Sequence, residues 1–222
     1  TRRIGWALAA LVLGPAVLDA QVVIRRSVGG GSGGMQWLEV APSAYGVASW
    51  AAGQWARYSV SENVGAPMPM MQFRTLSVVG RRGTDFWLET ADEFGGMASG
   101  RGMVRKALVP FGAIAERAGG ETYLLSPDSS VRRQTLLRAA SGPARRAAFP
   151  EGWTRVGEET VAVGPGTVRA VHWRKGAAEI WTAAAAGPLG LVRYRSADLE
   201  IELVEYSANG ARSQIPFGGS GR

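Results

Sequence analysis

The sequence predicts a mainly β protein in which a curved antiparallel meander forms an incomplete β-barrel, with one or two short helices packed on it. The clearest indication is the stretch 157–206, where five runs rich in β-branched and aromatic residues are separated by short breaks. Gly or Pro occupies most breaks, where positive φ or a missing N–H is tolerated. A chain of 222 residues with 46% hydrophobic residues is also long enough to bury one core. We therefore expect one extrinsic domain of about nine or ten strands.

Composition limits the partners and the chemistry. The formal net charge is +7, and only Lys106 and Lys175 of the 25 basic residues are lysines. An excess of positive charge favours anionic surfaces such as lipid headgroups, acidic proteins or nucleic acid. The chain has no cysteine, which excludes disulfides, thiolate nucleophiles and thiolate metal sites.

The N-terminal part divides into a membrane-targeting segment, 1–26, and a flexible Gly/Ser linker, 27–34. The segment is either a signal peptide cleaved after Leu18-Asp19-Ala20 or a retained helix from Ile4 to Ile24 that anchors the chain. A small residue such as Thr1 at the start is typical of removal of an initiator Met, which favours retention. The extrinsic β domain then covers 35–207, and 208–222 form a C-terminal tail.

The remaining elements are predicted from periodicity and from Gly, Pro and Ser boundaries. The predicted strands are Gln54 to Val60, a hairpin of Met71 to Val79 and Thr84 to Thr90, and Met103 to Pro110. The predicted helices are Ser43 to Ala52, a turn or two at Ala113 to Ala118, and Ser129 to Ala140, which has the best-defined ends. Asp92 to Gly102 is expected to be a loop.

The last strand contains a change of pattern. Leu199, Ile201 and Leu203 alternate with polar residues, but Val204 and Tyr206 then fall on the polar face. A β-bulge or a sheet edge near Leu203 to Val204 accounts for this shift.

Arginines form the strongest local charge signal, a basic patch in which five of them lie within fifteen positions. Three interpretations stay open: a solvated surface, contact with an anionic membrane surface or an acidic partner, and nucleic acid, which the absence of any reader fold disfavours. The residues of the basic patch are Arg132, Arg133, Arg138, Arg145 and Arg146.

We find no motif that carries chemistry, and we expect no enzyme, no cofactor and no metal site. The only histidine, His172, shares a strand face with Val168 and Ala170 and is expected to point inward. The adjacent Glu158 and Glu159 point to opposite faces of their strand, which suits a catalytic pair poorly.

Large apolar side chains within the predicted strands and the Met-rich loop before them suit either a core or an apolar ligand cleft. The candidate cleft residues are Trp55, Met70, Met71, Trp87, Trp173 and Trp181.

Three stretches carry a resemblance to a known family: GQWARY, GEETVAVGPGTVRAVHWRKG and EIWTAAAAGPLGLVRYRSADLEIELVEY. With them the chain resembles the lipoprotein-carrier (LolA/LolB-like) superfamily of bacterial envelope proteins over about Gly53 to Tyr206. The resemblance implies an incomplete antiparallel barrel around a hydrophobic cleft closed by short helices, and non-enzymatic binding of an acyl chain or a partner. The lipobox cysteine of the outer-membrane member is absent.

Two functions follow from these observations. The first is a membrane-anchored accessory subunit on the periplasmic side of the cytoplasmic membrane, which clamps integral membrane subunits of a large complex, for example a photosynthetic reaction centre with its antenna. The second is a soluble periplasmic carrier of lipid or lipoprotein with an apolar cleft. A retained N-terminal helix favours the first, and cleavage favours the second.

Overall fold

A computed structural model of the chain describes residues 50–62, 64, 67, 70–94, 102–109, 122–126, 129–134 and 152–216. These residues form eleven strands. In chain order they are β1 (Trp55–Glu62), β2 (Met70–Arg82), β3 (Asp85–Phe94), β4 (Val104–Val109), β5 (Thr122–Leu125), β6 (Val131–Gln134), β7 (Thr154–Val163), β8 (Gly166–Lys175), β9 (Ala178–Thr182), β10 (Leu191–Arg195) and β11 (Leu199–Ser207).

All eleven strands belong to one antiparallel sheet with the order β6-β5-β4-β3-β2-β1-β11-β10-β9-β8-β7. Consecutive strands pair with each other, except β6 and β7, which form the two edges of the described sheet. Pairing of β1 with β11 joins two meanders, β1 to β6 and β7 to β11. The meander predicted for 157–206 is therefore confirmed, although its first strand begins earlier, at Thr154.

The predicted helix at Ser129 to Ala140 is wrong where the structure describes it, because Val131–Gln134 form β6. Pairing of β6 with β5 overrides the local helix signals. The described end of the other predicted helix, 50–52, is not helical either, and 43–49, Ala113 to Ala118 and 135–140 lie outside the described residues. No stretch of the described chain forms a helix long and apolar enough to cross a membrane. The segments 1–26 and 27–34 are outside that part.

Cross-strand register assigns side chains to two faces of the sheet. We call inner face the one that carries Tyr58 and Val60 of β1, because their partners on β2 and β11 are also buried there. The other side is the opposite face. The apolar residues of the inner face are nearly inaccessible to solvent, with Val60 1%, Val78 0% and Ile201 1% exposed. Other buried apolar members are Leu76, Phe86, Leu88, Ile180, Tyr194, Leu199 and Leu203.

The expected irregularity of the last strand is a β-bulge at Val204. Arg57 pairs with Glu205 and Tyr58 with Leu203, so Val204 has no partner on β1. Leu199, Ile201 and Leu203 thus stay on the inner face, as predicted, while the strand bends beyond them.

The sheet coils at its β7 end, where the buried apolar side chains lie on the opposite face instead of the inner face. Val163 and Ala170 are 6% and 1% exposed on that side. The turn after β7 reaches β11, because a Cβ placed on Gly164 would lie 2.8 Å from the Val204 carbonyl oxygen. The side chains of β7 and β8 that are buried on the opposite face therefore occur at the end of the sheet where this turn contacts β11.

The loop 183–190 covers the N-terminal part of β1 on the inner face. Gly187 has φ +68°, and a Cβ there would be 2.5 Å from the Ala56 Cβ. Trp50 fixes the loop by donating a hydrogen bond from its indole N–H to the Pro188 carbonyl oxygen, at 2.6 Å. The Trp50 ring also packs edge-on against the Phe86 ring, with the ring centroids 6.0 Å apart.

Residues 211–216, which we call the strap, cover β3 and β4 on the opposite face. Two buried charges hold the strap: Lys106 Nζ donates to the Ile215 carbonyl at 2.7 Å and to Ser213 Oγ at 2.8 Å, and Glu89 accepts the amide of Gln214 at 2.8 Å. The Ile215 side chain is 1% exposed. Burial lowers the pKa of Lys106, and the charge of Glu89 opposes that shift.

Candidate functional site

A group of polar side chains lies on the inner face at one end of β1 to β4. Register places Tyr58 of β1 opposite Arg74 of β2, and Arg74 opposite Asp92 of β3. Thr90 of β3 is paired with Arg105 of β4. Because directly paired residues share a face, these side chains adjoin one another. We call this group, with Gln72 of β2, the inner polar cluster; its members are Tyr58, Gln72, Arg74, Thr90, Asp92 and Arg105.

An ion pair is the centre of the inner polar cluster. Arg74 Nε donates to Asp92 Oδ1 at 2.6 Å, and the two side chains are 5% and 11% exposed. Removing two charges from water costs several kcal/mol per ion, and their attraction offsets this only with good geometry and further hydrogen bonds. Such a pair is by itself weak evidence for stability.

Arg105 adds a second positive charge to the inner polar cluster. Burial lowers its pKa to about 10, the Asp92 carboxylate raises it, and the Arg74 guanidinium lowers it. The Asp92 carboxylate therefore acts on both guanidinium groups.

Two further members of the inner polar cluster contribute hydrogen-bonding atoms. Tyr58 is 2% exposed and Gln72 is 7% exposed. Within the described part of the chain, neither Tyr58 Oη nor Gln72 Oε1 has a hydrogen-bond partner. Burial raises the pKa of Tyr58, so its hydroxyl keeps its proton at neutral pH and can act as a donor. Buried polar groups normally have partners, so these two atoms are suited to a ligand.

The inner polar cluster is continuous with the apolar inner face. Along β2 the inner side chains change from Val78 and Leu76 to Arg74 and Gln72, and along β3 apolar residues give way to Thr90 and Asp92. The step from position 78 to 72 corresponds to roughly 20 Å of strand. The inner face thus has an apolar part and a polar, charged end.

A second polar group surrounds His172 on the opposite face of β7 to β9. The His172 ring is stacked on the Trp181 ring, with the ring centroids 4.3 Å apart and an angle of 12° between the ring planes. Nδ1 lies 2.7 Å from Glu159 Oε1, and Trp181 Nε1 donates to Glu159 Oε2 at 3.0 Å. His172 is therefore buried and hydrogen-bonded, as predicted. The hydrogen bond from Trp181, with a smaller contribution from His172, lowers the pKa of Glu159.

The basic patch is only partly described. Arg132 and Arg133 are adjacent exposed residues of β6. Arg132 is paired with Leu124, which is itself paired with Arg105, so Arg132 lies on the inner face next in line to the inner polar cluster. Arg133 is paired with Tyr123 and lies on the opposite face. Arg138, Arg145 and Arg146 lie outside the described residues.

The six candidate cleft residues are divided between the two faces. By register, Met70 and Trp173 are on the inner face, whereas Trp55, Met71, Trp87 and Trp181 are on the opposite face. Met70 and Met71 are 59% and 56% exposed, and Trp87 and Trp181 are 6% and 4% exposed. The structure therefore does not bring the six side chains together.

The inner polar cluster was missed from the sequence for two reasons. The sequence pattern predicts a loop from Asp92, but β3 continues to Phe94, so Asp92 is a strand residue that faces Arg74. Gln72 and Arg74 precede Leu76 and Val78 at a spacing of two, a signal that predicts polar residues on a buried face. Among the described residues, no group of three or more His, Asp or Glu side chains is arranged to hold a metal ion.

Two solved structures are similar to this chain. A DUF1329 family protein from Desulfovibrio piger is 12% identical, with 74% of this chain and 87% of that chain covered and a TM-score of 0.28. A domain described as an outer membrane lipoprotein-sorting protein, from Vibrio parahaemolyticus, is 10% identical, with 70% and 85% covered and a TM-score of 0.27. No protein family model and no curated protein matches the chain.

These comparisons agree with the weak resemblance to lipoprotein carriers that the sequence indicated. At such identities and TM-scores the likeness carries no argument about what the chain binds. The side chains of the inner face have to supply that argument.

Proposed function

We propose that the protein is a non-catalytic envelope protein that binds the acyl chain of a lipid or lipoprotein on its inner face. One observation carries this proposal: a buried apolar face that ends in the charged inner polar cluster. An amphiphile has the same division, because its chain is apolar and its head is polar.

The physical argument starts from what a purely structural core needs. Replacing a buried ion pair by apolar residues of similar volume is often neutral or stabilises the protein by about 1–4 kcal/mol. A core can therefore do without a pair such as Arg74 and Asp92, although the Lys106–Glu89 pair shows that this fold also uses one to hold the strap. A binding face does need fixed polar groups beside an apolar surface, since these orient the ligand while apolar contact supplies affinity.

The proposal is tested with uncharged amphiphiles, which isolate the apolar contribution. The neutral dye N-phenyl-1-naphthylamine is bound to the protein and displaced with 1-decanol or 1-dodecanol. Each buried methylene contributes about 0.8 kcal/mol, so affinity should rise roughly fourfold per CH₂ between the two alcohols. No displacement by either alcohol would contradict the proposal.

Two tryptophan variants of β2 show which face binds the chain. Leu76 is buried on the inner face, and its neighbour Thr75 points to the opposite face. Leu76→Trp should reduce dodecanol binding by filling the inner face, whereas Thr75→Trp should leave it unchanged. Urea unfolding of each variant checks that the sheet is intact. If Leu76→Trp does not fold, the chain-length series on the unaltered protein remains as the test.

The membrane-anchored accessory subunit stays a prediction. It depends on the segment 1–26 and on the tail beyond residue 216, which lie outside the described residues, and on the basic patch, of which the structure describes Arg132 and Arg133. Location on the periplasmic side of the cytoplasmic membrane is part of the present proposal as well, since a carrier of envelope lipids works there.

A further inference from the structure

We propose that Tyr58 and Gln72 of the inner polar cluster together bind an uncharged head group that both accepts and donates hydrogen bonds, as a hydroxyl or a carboxamide does. This inference rests on the proposed function and adds the class of head that the apolar chain carries. The two atoms that support it are the Tyr58 hydroxyl oxygen and the Gln72 side-chain carbonyl oxygen.

The two atoms have complementary hydrogen-bonding roles. Tyr58 Oη carries a proton that it can donate, whereas Gln72 Oε1 is a carbonyl oxygen and can only accept. Both atoms are buried, and neither has a hydrogen-bond partner within the part of the chain that the structure describes, so they are not bonded to each other. A buried donor or acceptor without a partner is costly, because it has lost its hydrogen bonds to water. A head group that satisfies both atoms at once must offer one acceptor and one donor.

The two side chains lie close enough for one small head group to contact both. Tyr58 and Val60 are two residues apart on β1, and Gln72 of β2 is paired with Val60. Tyr58 and Gln72 are therefore diagonal neighbours on the inner face. Such neighbours are about 7–8 Å apart, which is within reach of long side chains. Val60 is 1% exposed, so hydrogen bonds to a head group beside it form in an environment of low dielectric constant, which strengthens them.

The burial of the inner side chains along β2 fits a head group at this position and a chain beyond it. Met70, at the beginning of β2, is 59% exposed, whereas Gln72 is 7% exposed and Val78 is 0% exposed. Solvent therefore reaches the inner face at the Met70 end, and the apolar residues lie deeper. An amphiphile with its head at Gln72 extends its chain toward Leu76 and Val78, so that the head stays near the accessible end.

The experiment compares two isomers that differ in one hydrogen-bond donor. The hydroxyl of 1-dodecanol can accept from Tyr58 and donate to Gln72, whereas the ether oxygen of 1-methoxyundecane can only accept. Each compound displaces N-phenyl-1-naphthylamine from the full chain, and each affinity is corrected for the partition of the compound from water into dodecane. The corrected affinity of the alcohol should be at least about 5-fold higher, since the ether leaves one buried acceptor without a partner.

Variants of the two side chains show which property of the head each one recognises. Tyr58→Phe removes the donor and should weaken binding of both isomers about 5-fold or more, because both present an acceptor oxygen. Gln72→Met removes the acceptor and should weaken binding of 1-dodecanol by a similar factor, while ether binding changes by less than about twofold. Tyr123→Phe and Gln214→Met are the matched controls, since they remove the same groups from the opposite face and should change neither affinity. Urea unfolding of each variant checks that the sheet is intact.

The outcomes separate this inference from the proposed function. Equal effects of Gln72→Met on the alcohol and the ether, or no effect on either, would overturn the inference, because the Gln72 oxygen would then not contact the donor of the head. A loss of stability in Tyr58→Phe without any loss of affinity would also overturn it, since the hydroxyl would then serve the fold alone. If a variant does not fold, equal corrected affinities of the two isomers for the unaltered protein would overturn it. Failure of both isomers to displace the dye would remove the proposed function itself.

Discussion

Lys106→Met should destabilise the protein strongly, because it leaves a carboxylate buried without its cation. Lys106 Nζ lies 3.6 Å from Glu89 Oε1, with the two side chains 2% and 3% exposed. At an effective dielectric constant of about 20, Coulomb's law gives an attraction of about 5 kcal/mol at that distance. Breaking a buried pair from one side typically costs about 3–5 kcal/mol. We expect a loss of that size in the free energy of unfolding.

A double-mutant cycle isolates the charge interaction. Glu89→Gln alone leaves the Lys106 ammonium buried without its anion, whereas the double variant Glu89→Gln with Lys106→Met buries no charge. The free energy of unfolding lost in the double variant should therefore be about 2–3 kcal/mol smaller than the sum of the losses in the two single variants. Urea unfolding followed by tryptophan fluorescence measures all four proteins. Lys175→Met, at the exposed second lysine of the chain, should change stability by no more than about 0.5 kcal/mol.

The same variant reports on the strap. Loss of Lys106 removes the hydrogen bonds to Ser213 and to the Ile215 carbonyl. Amide hydrogen exchange at 213–215 should therefore accelerate in Lys106→Met. A stability within about 0.5 kcal/mol of the unaltered protein, together with unchanged exchange in the strap, would refute the reasoning.

Two further predictions concern stability. The pKa of the Glu159 carboxyl is lowered, chiefly by the hydrogen bond from Trp181, so its stabilising contribution is present above about pH 4.3 and is lost as the pH falls through the lower folded-state pKa. In Glu159→Gln the free energy of unfolding should therefore decline less steeply as the pH falls. The effect is small because the side chain is 48% exposed. Parallel curves of unfolding free energy against pH for the variant and the unaltered protein would contradict this prediction. Gly187→Ala should cost about 1–3 kcal/mol, because a Cβ there meets the Ala56 Cβ at 2.5 Å and φ is +68°. Gly176→Ala, with φ +59° and nothing within 4 Å of the added Cβ, should cost less in the same thermal melts.

Local sequence signals were sufficient for the C-terminal meander. Its strands are marked by β-branched residues and its turns by Gly and Pro, and the misfit of Val204 with the alternation located a bulge that the register shows. These features depend on residues close together in sequence, which is why the pattern predicts them.

Signals that depend on pairing with other strands or segments were misread. Val131–Gln134 have helix-compatible neighbours, but pairing with β5 makes them a strand. Lys106 gave no sign of burial, because the groups that accept its hydrogen bonds, in Ser213 and Ile215, lie more than a hundred residues away. The inner polar cluster likewise unites β1, β2, β3 and β4, and its polar residues look like loop or surface residues when each is considered alone.

Photocrosslinking with a diazirine-bearing dodecanoic acid tests the central claim most directly, because it maps where an acyl chain lies. We predict labelling at inner-face residues that solvent reaches, such as Met70 of β2 and Trp173 of β8, and competition of that labelling by unmodified dodecanoate. Labelling confined to the opposite face, or labelling that excess dodecanoate does not reduce, would contradict binding of an acyl chain on the inner face.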